Sequence, residues 1–339
     1  MAARSMLFYV KVYVLRWLTR LSAWLDRRRG PSPRPPGPSL TATIPSTLSN
    51  SPGTFEIYFY FPPGYTRKGA QERQQYPVVT TFHGGGWCVA HARDDERFIS
   101  TLTARGAVVA SVNYRLAPEH PYPVPIEDCL DALLYIWRNA ASMGVDKHRT
   151  IIAGFSAGGQ MAFASLLMLW KRIQDKDPKI DTSILGTTRG VTAFYPSMDL
   201  TKSRAERASS NPAFVALKKK PASSSKLVGS IIDVAYFWNL KEIPDKGFMY
   251  LSPGLAPQDA LREALPKRIS FKLAGQDYLL AEGRAAADRL KGLGKQVSCE
   301  VTEDVPHYWD HVAGTEEMRK LRDIVHGKAA DEIKQMWEE

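Results

Sequence analysis

Between Thr150 and Trp170 the chain reads Thr-Ile-Ile-Ala, then Gly-Phe-Ser-Ala-Gly, then Gly-Gln-Met-Ala-Phe-Ala-Ser-Leu-Leu-Met-Leu-Trp. An apolar, β-branched run that breaks at G-x-S-x-G and resumes with helical periodicity predicts a strand, a sharp turn and a helix. In that context Ser156 stands on a nucleophile elbow. Gly154 and Gly158 then have a reason, because bulky neighbours at either side of so tight a turn would strike the adjoining strand and helix. At a helix N-terminus the serine oxygen also faces unpaired N–H donors and the positive end of the helix dipole.

The rest of the body fits such an elbow. From Thr54 onward short apolar runs alternate with helical patterns, the signature of a largely parallel sheet covered by helices. Strands are expected at Phe55–Phe61, Val78–Phe82, Val108–Asn113, Thr150–Ala153, Gly190–Tyr195, Ile269–Ala274 and Gln296–Val301. Helices are expected at Glu96–Ala104, Ile126–Met143, Ala157–Ile173, Ala281–Leu293 and Glu316–Trp337. After Asp199 the alternation breaks for a lysine run, a serine run and an apolar helical stretch, which reads as an insertion at the sheet edge.

Directly after Val78–Phe82 comes His83-Gly84-Gly85-Gly86-Trp87-Cys88. Attack by a serine on a carbonyl creates an oxyanion, and each donor fixed where that charge develops is worth about 2.7 to 4 kcal/mol. Main-chain N–H groups can serve only where no side chain intervenes. Gly85 and Gly86, with the N–H of Ala157, are therefore the expected oxyanion donors; Gly84 assists the turn and His83 anchors the loop by hydrogen bonds.

A serine needs a histidine to take its proton and an acid to orient that histidine. In the chain order Ser, acid, His, the strand Ile269–Ala274 leads to Asp277 and the strand Gln296–Val301 leads to His307 and His311. Ser156, Asp277 and His307 are the expected triad. His311 is the rival base and Glu282 the weaker rival acid, while Asp199 fits a structural carboxylate. Nothing places a base beside Cys88, so it is expected to be a small buried hydrophobe.

HGGGW, NYRLAPEHPYPVPIEDC, GFSAGG, FYPSMDLT, LSPGLAP and AGQDYLLAEG occur in this order. Over about residues 55 to 312 they resemble the hormone-sensitive lipase group of α/β hydrolases, most closely its fungal esterase-type members. The resemblance implies an α/β-hydrolase fold: a mostly parallel eight-stranded sheet with helices on both faces, and a helical cap from the N-terminus and an insertion. It also implies hydrolysis of carboxylic esters; the substrate is expected to be an apolar acyl or secondary-metabolite-type ester, apolar because residues 234–238 are rich in aromatics, with no metal or cofactor. In the family the acid follows G-x-x-D, matching Asp277, and the histidine opens a short motif matching His307. Two positions depart from the pattern. Phe155 stands where the family carries an acidic residue, and Tyr308 replaces the glycine after the histidine, which narrows the expected pocket. Two other outcomes keep the same resemblance: acyl transfer or cyclisation on a biosynthetic intermediate with the same triad, and a non-catalytic small-molecule-binding member.

The 339 residues carry a formal charge of +10, which raises nucleic acid as a partner. Residues 1–40 hold eight Lys and Arg against Asp26 alone, so that segment supplies +7 and leaves +3 for the remainder. No basic stripe interleaved with aromatics runs through the body, and nucleic-acid binding is not expected. The three cysteines lie far apart with no metal-ligand spacing, which points to a reducing, cytoplasmic setting.

Residues 6–25 are apolar and aromatic but interrupted by Lys11, Arg16 and Arg20. Each cation near a bilayer centre costs about 2.5 to 3.5 kcal/mol, more than Leu, Val and Phe return at about 0.3 to 0.6 apiece, so a membrane span is disfavoured. The apolar run before Lys11 is too short for a secretory signal, and secretion is not expected. Two readings stay open for residues 6–25: an interfacial helix in peripheral contact with anionic lipid, and a helix packed on the protein itself. The expected organisation is a basic helix and Pro-rich linker over 1–50, a catalytic core over 51–200 and 250–339, and a cap insertion over 201–249. The aromatics of 234–238 are expected to pack in the cap, with some lining an apolar pocket. Nothing in the sequence specifies an oligomeric state.

Overall fold

The computed structural model describes residues 2–29, 35–66, 75–217, 225–238, 240, 245–312 and 314–338. Its centre is an 8-stranded sheet in the order β1-β2-β4-β3-β5-β6-β7-β8. These are β1 (Leu40–Pro45), β2 (Thr54–Tyr60), β3 (Tyr76–Phe82), β4 (Val108–Asn113), β5 (Val145–Phe155), β6 (Thr188–Phe194), β7 (Arg268–Gln276) and β8 (Gln296–Pro306). From β4 to β8 every neighbouring pair is parallel; β1–β2 and β2–β4 are antiparallel. This is the fold class the sequence implies.

Alternation along the strands divides the interior into two layers, as the two-residue side-chain period requires. Val108, Ala110 and Val112 of β4 face the layer covered by α3 (Val124–Arg138), α4 (Ala157–Gln174), α8 (Gln258–Ala264) and α9 (Leu280–Gly292). Val109 faces the opposite layer, where α2 (Glu96–Thr103) contributes Phe98 and Leu102 and α10 (Glu316–Glu338) contributes Ala329 and Ile333. Helices on both faces bury Val78–Phe82, Val108–Val112, Thr150–Phe155, Gly190–Phe194 and Ile269–Gly275, which is why these stretches are largely apolar and lack a polar-out alternation.

The strand β1 was not among the strands expected from sequence. It pairs Leu40 with Phe59 through Pro45 with Thr54 at the sheet edge. Of its residues only Ile44 is buried, so the alternation signalling a half-buried strand is nearly absent, and a proline is tolerated because an edge strand leaves one side unpaired.

Between β6 and β7 lie α5 (Arg204–Ser209), α6 (Pro212–Leu217) and α7 (Ser225–Tyr236). The N-terminal helix α1 (Ala2–Arg29) packs against the end of this segment, where Phe8 stacks on Trp238 with ring centroids 4.1 Å apart. Val12 is fully buried, and Arg16 donates to the Cys88 carbonyl at 2.8 Å, to the Ala117 carbonyl at 2.7 Å and to both oxygens of Glu119. The other face of α1 is open: Met6, Leu7, Val10, Val14, Trp17, Leu18, Leu21 and Trp24 are all exposed. Among the described residues no helix is long and apolar enough to cross a membrane.

Candidate active site

Ser156 follows the last residue of β5 and precedes the first of α4, with φ +53° and ψ −114°. A non-glycine residue in that region is strained and persists only where its surroundings dictate it. Here the Ser156 N–H is held by the Phe194 carbonyl at 2.9 Å, and α4 lies so close to β3 that a Cβ on Gly158 would stand 1.9 Å from the Phe82 carbonyl oxygen. The second glycine of the motif is thus a contact requirement between helix and strand.

Asp277 and His307 sit one residue beyond β7 and β8, at the same edge of the sheet as Ser156. Asp277 is fully buried; its Oδ1 accepts the Leu279 N–H at 3.0 Å and its Oδ2 lies 2.6 Å from His307 Nδ1. An ionised carboxylate only accepts, so His307 donates Nδ1–H and keeps the lone pair on Nε2. That nitrogen is 2.9 Å from Ser156 Oγ, placed to receive the hydroxyl proton. The imidazole is packed edge-on by Tyr195, with centroids 4.9 Å apart, and tilted against Tyr278 at 5.4 Å.

The glycine loop meets this group from β3. Gly85 has φ +103°, and a Cβ there would fall 2.2 Å from the Val89 carbonyl oxygen, because that turn closes with Val89 N–H on Gly85 O at 3.0 Å. A Cβ on Gly84 would come within 3.6 Å of Ser156 Cβ, so the loop runs past the serine with nothing between. Gly85, Gly86, Ser156 and Ala157 open together into one cavity. His83 stacks on Tyr114 at 4.1 Å, donates Nδ1–H to the Gly84 carbonyl at 2.8 Å, and has its own carbonyl held by the Tyr114 hydroxyl at 2.8 Å. Burial pushes its imidazole down to about 3, so it stays neutral.

The rivals are engaged by other partners. His311 places Nδ1 3.0 Å from Asp310 and Nε2 2.8 Å from Asp95, so both nitrogens donate to carboxylates and neither can accept. Burial opposes its charge, but Asp310 and Asp95 more than offset that and push it up to about 10. Glu282 accepts the Met198 N–H at 2.8 Å and lies 3.9 Å from Arg207; burial pushes it up to about 7. Asp199 accepts from the backbone N–H and hydroxyl of Thr201. Cys88 is fully buried, and burial pushes its thiol up to about 12.

Phe155, where the resembling family carries an acid, stacks on Phe194 at 4.4 Å and meets Phe98 and His311 edge-on. The buried charge in this region sits one layer away, in a chain from Asp95 through His311 and Asp310 to His326, joined by the Tyr195 hydroxyl. No sequence spacing announces it, since Asp95 is 216 positions from His311. Tyr308 takes φ +64°, which glycine adopts freely, and turns its ring flat onto His311 at 4.2 Å.

The cavity has a volume of about 900 Å³ and reaches Ser156 and His307. Its apolar wall comes from Leu200, Ala208, Phe214 and Ile232, and from Ala23 of α1. None of the aromatics of 234–238 is among these lining residues, which corrects the expectation that some of them line it. Tyr236 is instead buried flat against Trp87 at 4.2 Å, and Trp238 is taken up by Phe8 and Tyr9.

The chain is similar to carboxylesterase NlhH of Mycobacterium tuberculosis, 46% identical over 229 residues that make up 66% of this chain and 64% of that one. It therefore spans less than two thirds of that relative's length. Its fold is similar to that of a fungal esterase from Rhizomucor miehei, with a TM-score of 0.75 over 96% of this chain and 90% of that one at 23% identity. A hyperthermophilic esterase from Pyrobaculum calidifontis gives a TM-score of 0.72 over 96% and 93%, at 24% identity. At such identities the likeness is one of fold. The α/β hydrolase fold family matches residues 79–311, across the glycine loop, the elbow and both downstream strand ends, and the chain belongs to that family, in its hormone-sensitive lipase-like group.

Proposed function

We propose that this chain hydrolyses carboxylic esters, with Ser156 as nucleophile, His307 as general base and then acid, and Asp277 as the carboxylate that fixes the imidazole. The observation that carries this reading is the connected pair of contacts, 2.9 Å from Ser156 to His307 and 2.6 Å from His307 to Asp277, opening into an apolar cavity. In the first half, Ser156 Oγ bonds to the acyl carbon as its proton passes to His307 Nε2, and the carbonyl oxygen takes the negative charge. The N–H groups of Gly85, Gly86 and Ala157 are assigned to that oxygen. Collapse expels the alcohol, which takes the proton back from Nε2. Water then gives a proton to His307 Nε2 as its oxygen bonds to the acyl carbon; collapse breaks the bond to Ser156 Oγ, which takes that proton back, and the carboxylic acid leaves.

The substrate we assign is an ester with an apolar acyl group, from the cavity wall of Leu200, Phe214 and Ile232 and a volume in the range that holds a ligand of drug size. The carboxylesterase relative supports the same reaction class. Helix α1 and residues 201–249 are assigned to the cover over the site, and residues 51–200 and 250–339 to the core together with β1, which moves the expected boundary at residue 50 back to Leu40. The lipid contact of residues 6–25 belongs to this reading too, resting on the open apolar face of α1. A cytoplasmic setting is supported by the free Cys88, Cys129 and Cys299.

The test is turnover of p-nitrophenyl esters from acetate to palmitate by the parent chain and by Ser156→Ala, with and without a competing alcohol. A burst of acyl-enzyme in the parent alone supports hydrolysis. Silence of a folded parent on every ester sinks it, and product appearing only as the alcohol's ester replaces hydrolysis with acyl transfer.

A further inference from the structure

We propose that the open face of α1 docks on an anionic lipid bilayer and that the ester reaches the cavity from that surface; the second half rests on the hydrolase reading above.

The exposed stripe is too large and too ordered to be scattered surface hydrophobicity. Met6 is 73% exposed, Trp17 62% and Trp24 43%, and the stripe continues through every turn between them. At about 100° per residue, its members fall within an arc of roughly 120°. Contiguous apolar surface of this kind marks an interaction site.

Charge names the occupant. On the same wheel Lys11 and Arg20, both exposed, stand on opposite flanks of the arc. This is where a helix lying in an interface puts its cations, with the stems along the acyl boundary and the heads among the phosphates. The first 40 residues carry eight cations against Asp26 alone. A second copy of the chain is disfavoured by the same feature, since apposing two such faces brings like charges together.

The opposite face explains the orientation. Arg16 is tied to Cys88, Ala117 and Glu119, and Val12 is buried, so α1 lies flat on the body and meets a membrane along its length. One turn on, Thr19 and Ala23 line the cavity that holds Ser156. Lipid face and cavity wall are thus the two sides of one helix, about 10 to 12 Å thick. An apolar ester dissolved in the bilayer has only that distance to cover. Arg16 also ties the helix to the Cys88 carbonyl, two residues from Gly86, so the docked element and the oxyanion loop are one mechanical unit.

The experiment uses the full chain with vesicles of phosphatidylcholine, alone or with phosphatidylglycerol, read by flotation and by the blue shift of tryptophan emission. The expected result is binding that strengthens with the anionic lipid and weakens with salt. Trp17→Glu/Leu21→Glu is expected to bind about a hundredfold more weakly or worse, and Lys11→Gln and Arg20→Gln about fivefold each. All four substitutions lie outside the cavity, so turnover of a water-soluble short ester stays at the parent level, while turnover of a long-chain ester carried in the vesicles falls with the binding. A folded parent that ignores anionic vesicles overturns the proposal. So does a concentration-dependent dimer that the Trp17→Glu/Leu21→Glu chain fails to form, which assigns the face to a second copy. Vesicle binding without turnover of any ester leaves the docking intact and removes only the hydrolase reading.

Discussion

Asn211, in the segment between β6 and β7, donates its side-chain amide to the main-chain carbonyl of Asp277 at 2.8 Å and to that of Gly275 at 2.9 Å. A residue outside the sheet thereby holds the loop that aims the Asp277 carboxylate at His307. Replacing it with alanine removes both bonds and leaves the Asp277 carbonyl with only the longer 3.3 Å bond from the Leu280 N–H, at about 1–3 kcal/mol. If the loop shifts, the acid loses its aim while the cavity keeps its shape. Asn211→Ala is therefore expected to lower kcat by roughly tenfold to a hundredfold with little change in KM. A chain that melts earlier but keeps the parent's kcat would show that Asn211 serves stability alone.

Asp277→Asn should be far more damaging than its size implies. The Leu279 N–H still finds an oxygen, so the fold is retained, but an amide NH₂ aimed at Nδ1 forces the proton onto Nε2, and His307 can no longer accept from Ser156. The expected loss in kcat is about 10⁴-fold. Steady-state turnover of a short ester decides it: a loss under tenfold would take the orienting role from Asp277.

The Gly85 turn has no room for a side chain. Its φ of +103° and the 2.2 Å approach of a Cβ to the Val89 carbonyl mean that Gly85→Ala must move the loop. Displaced donors cost about 10² to 10³ in kcat. Parallel measurement of kcat and of an active-site acylating reagent's labelling of Ser156 checks this, with both expected to fall. Unchanged labelling would mean that the oxyanion is held elsewhere.

How much of this was legible follows from how local each signal is. The elbow was readable because Gly154, Ser156 and Gly158 lie in one pentapeptide whose spacing is imposed by the approach of α4 to β3. Asp277 and His307 were readable because the chain order and the strand ends leave few alternatives. The edge strand β1 was not, since a strand with one buried residue has no alternation to detect. Nor was the fate of residues 234–238: period and composition mark them as apolar, yet whether Tyr236 faces the cavity or Trp87 depends on how α7 is rotated, which its partners decide. The acid missing at Phe155 shows the same limit. Its absence was plain, while the Asp95–His311–Asp310 chain in that region joins two segments 216 positions apart and needed the fold to appear.

That chain gives a prediction about pH. His311 lies between two buried carboxylates, stacked by Tyr308 and met edge-on by Phe155, and it ties the turn after His307 to Asp95 ahead of α2. His326 on α10 and the Tyr195 hydroxyl complete the ring of partners around Asp310. Its folded value of about 10 is above the unfolded value of 6.5, so protonation favours the native state. The contribution is fully present below about pH 6.5, declines as pH rises through the window to about 10, and is gone above it. His311→Gln removes the titration, so its stability should run flat over that window relative to the parent. The measurement is the urea midpoint of both chains at intervals from neutral pH to above 10. A narrowing gap as pH rises is expected; a constant gap would mean that His311 is neutral in the folded state and that Asp95 and Asp310 carry the protons instead.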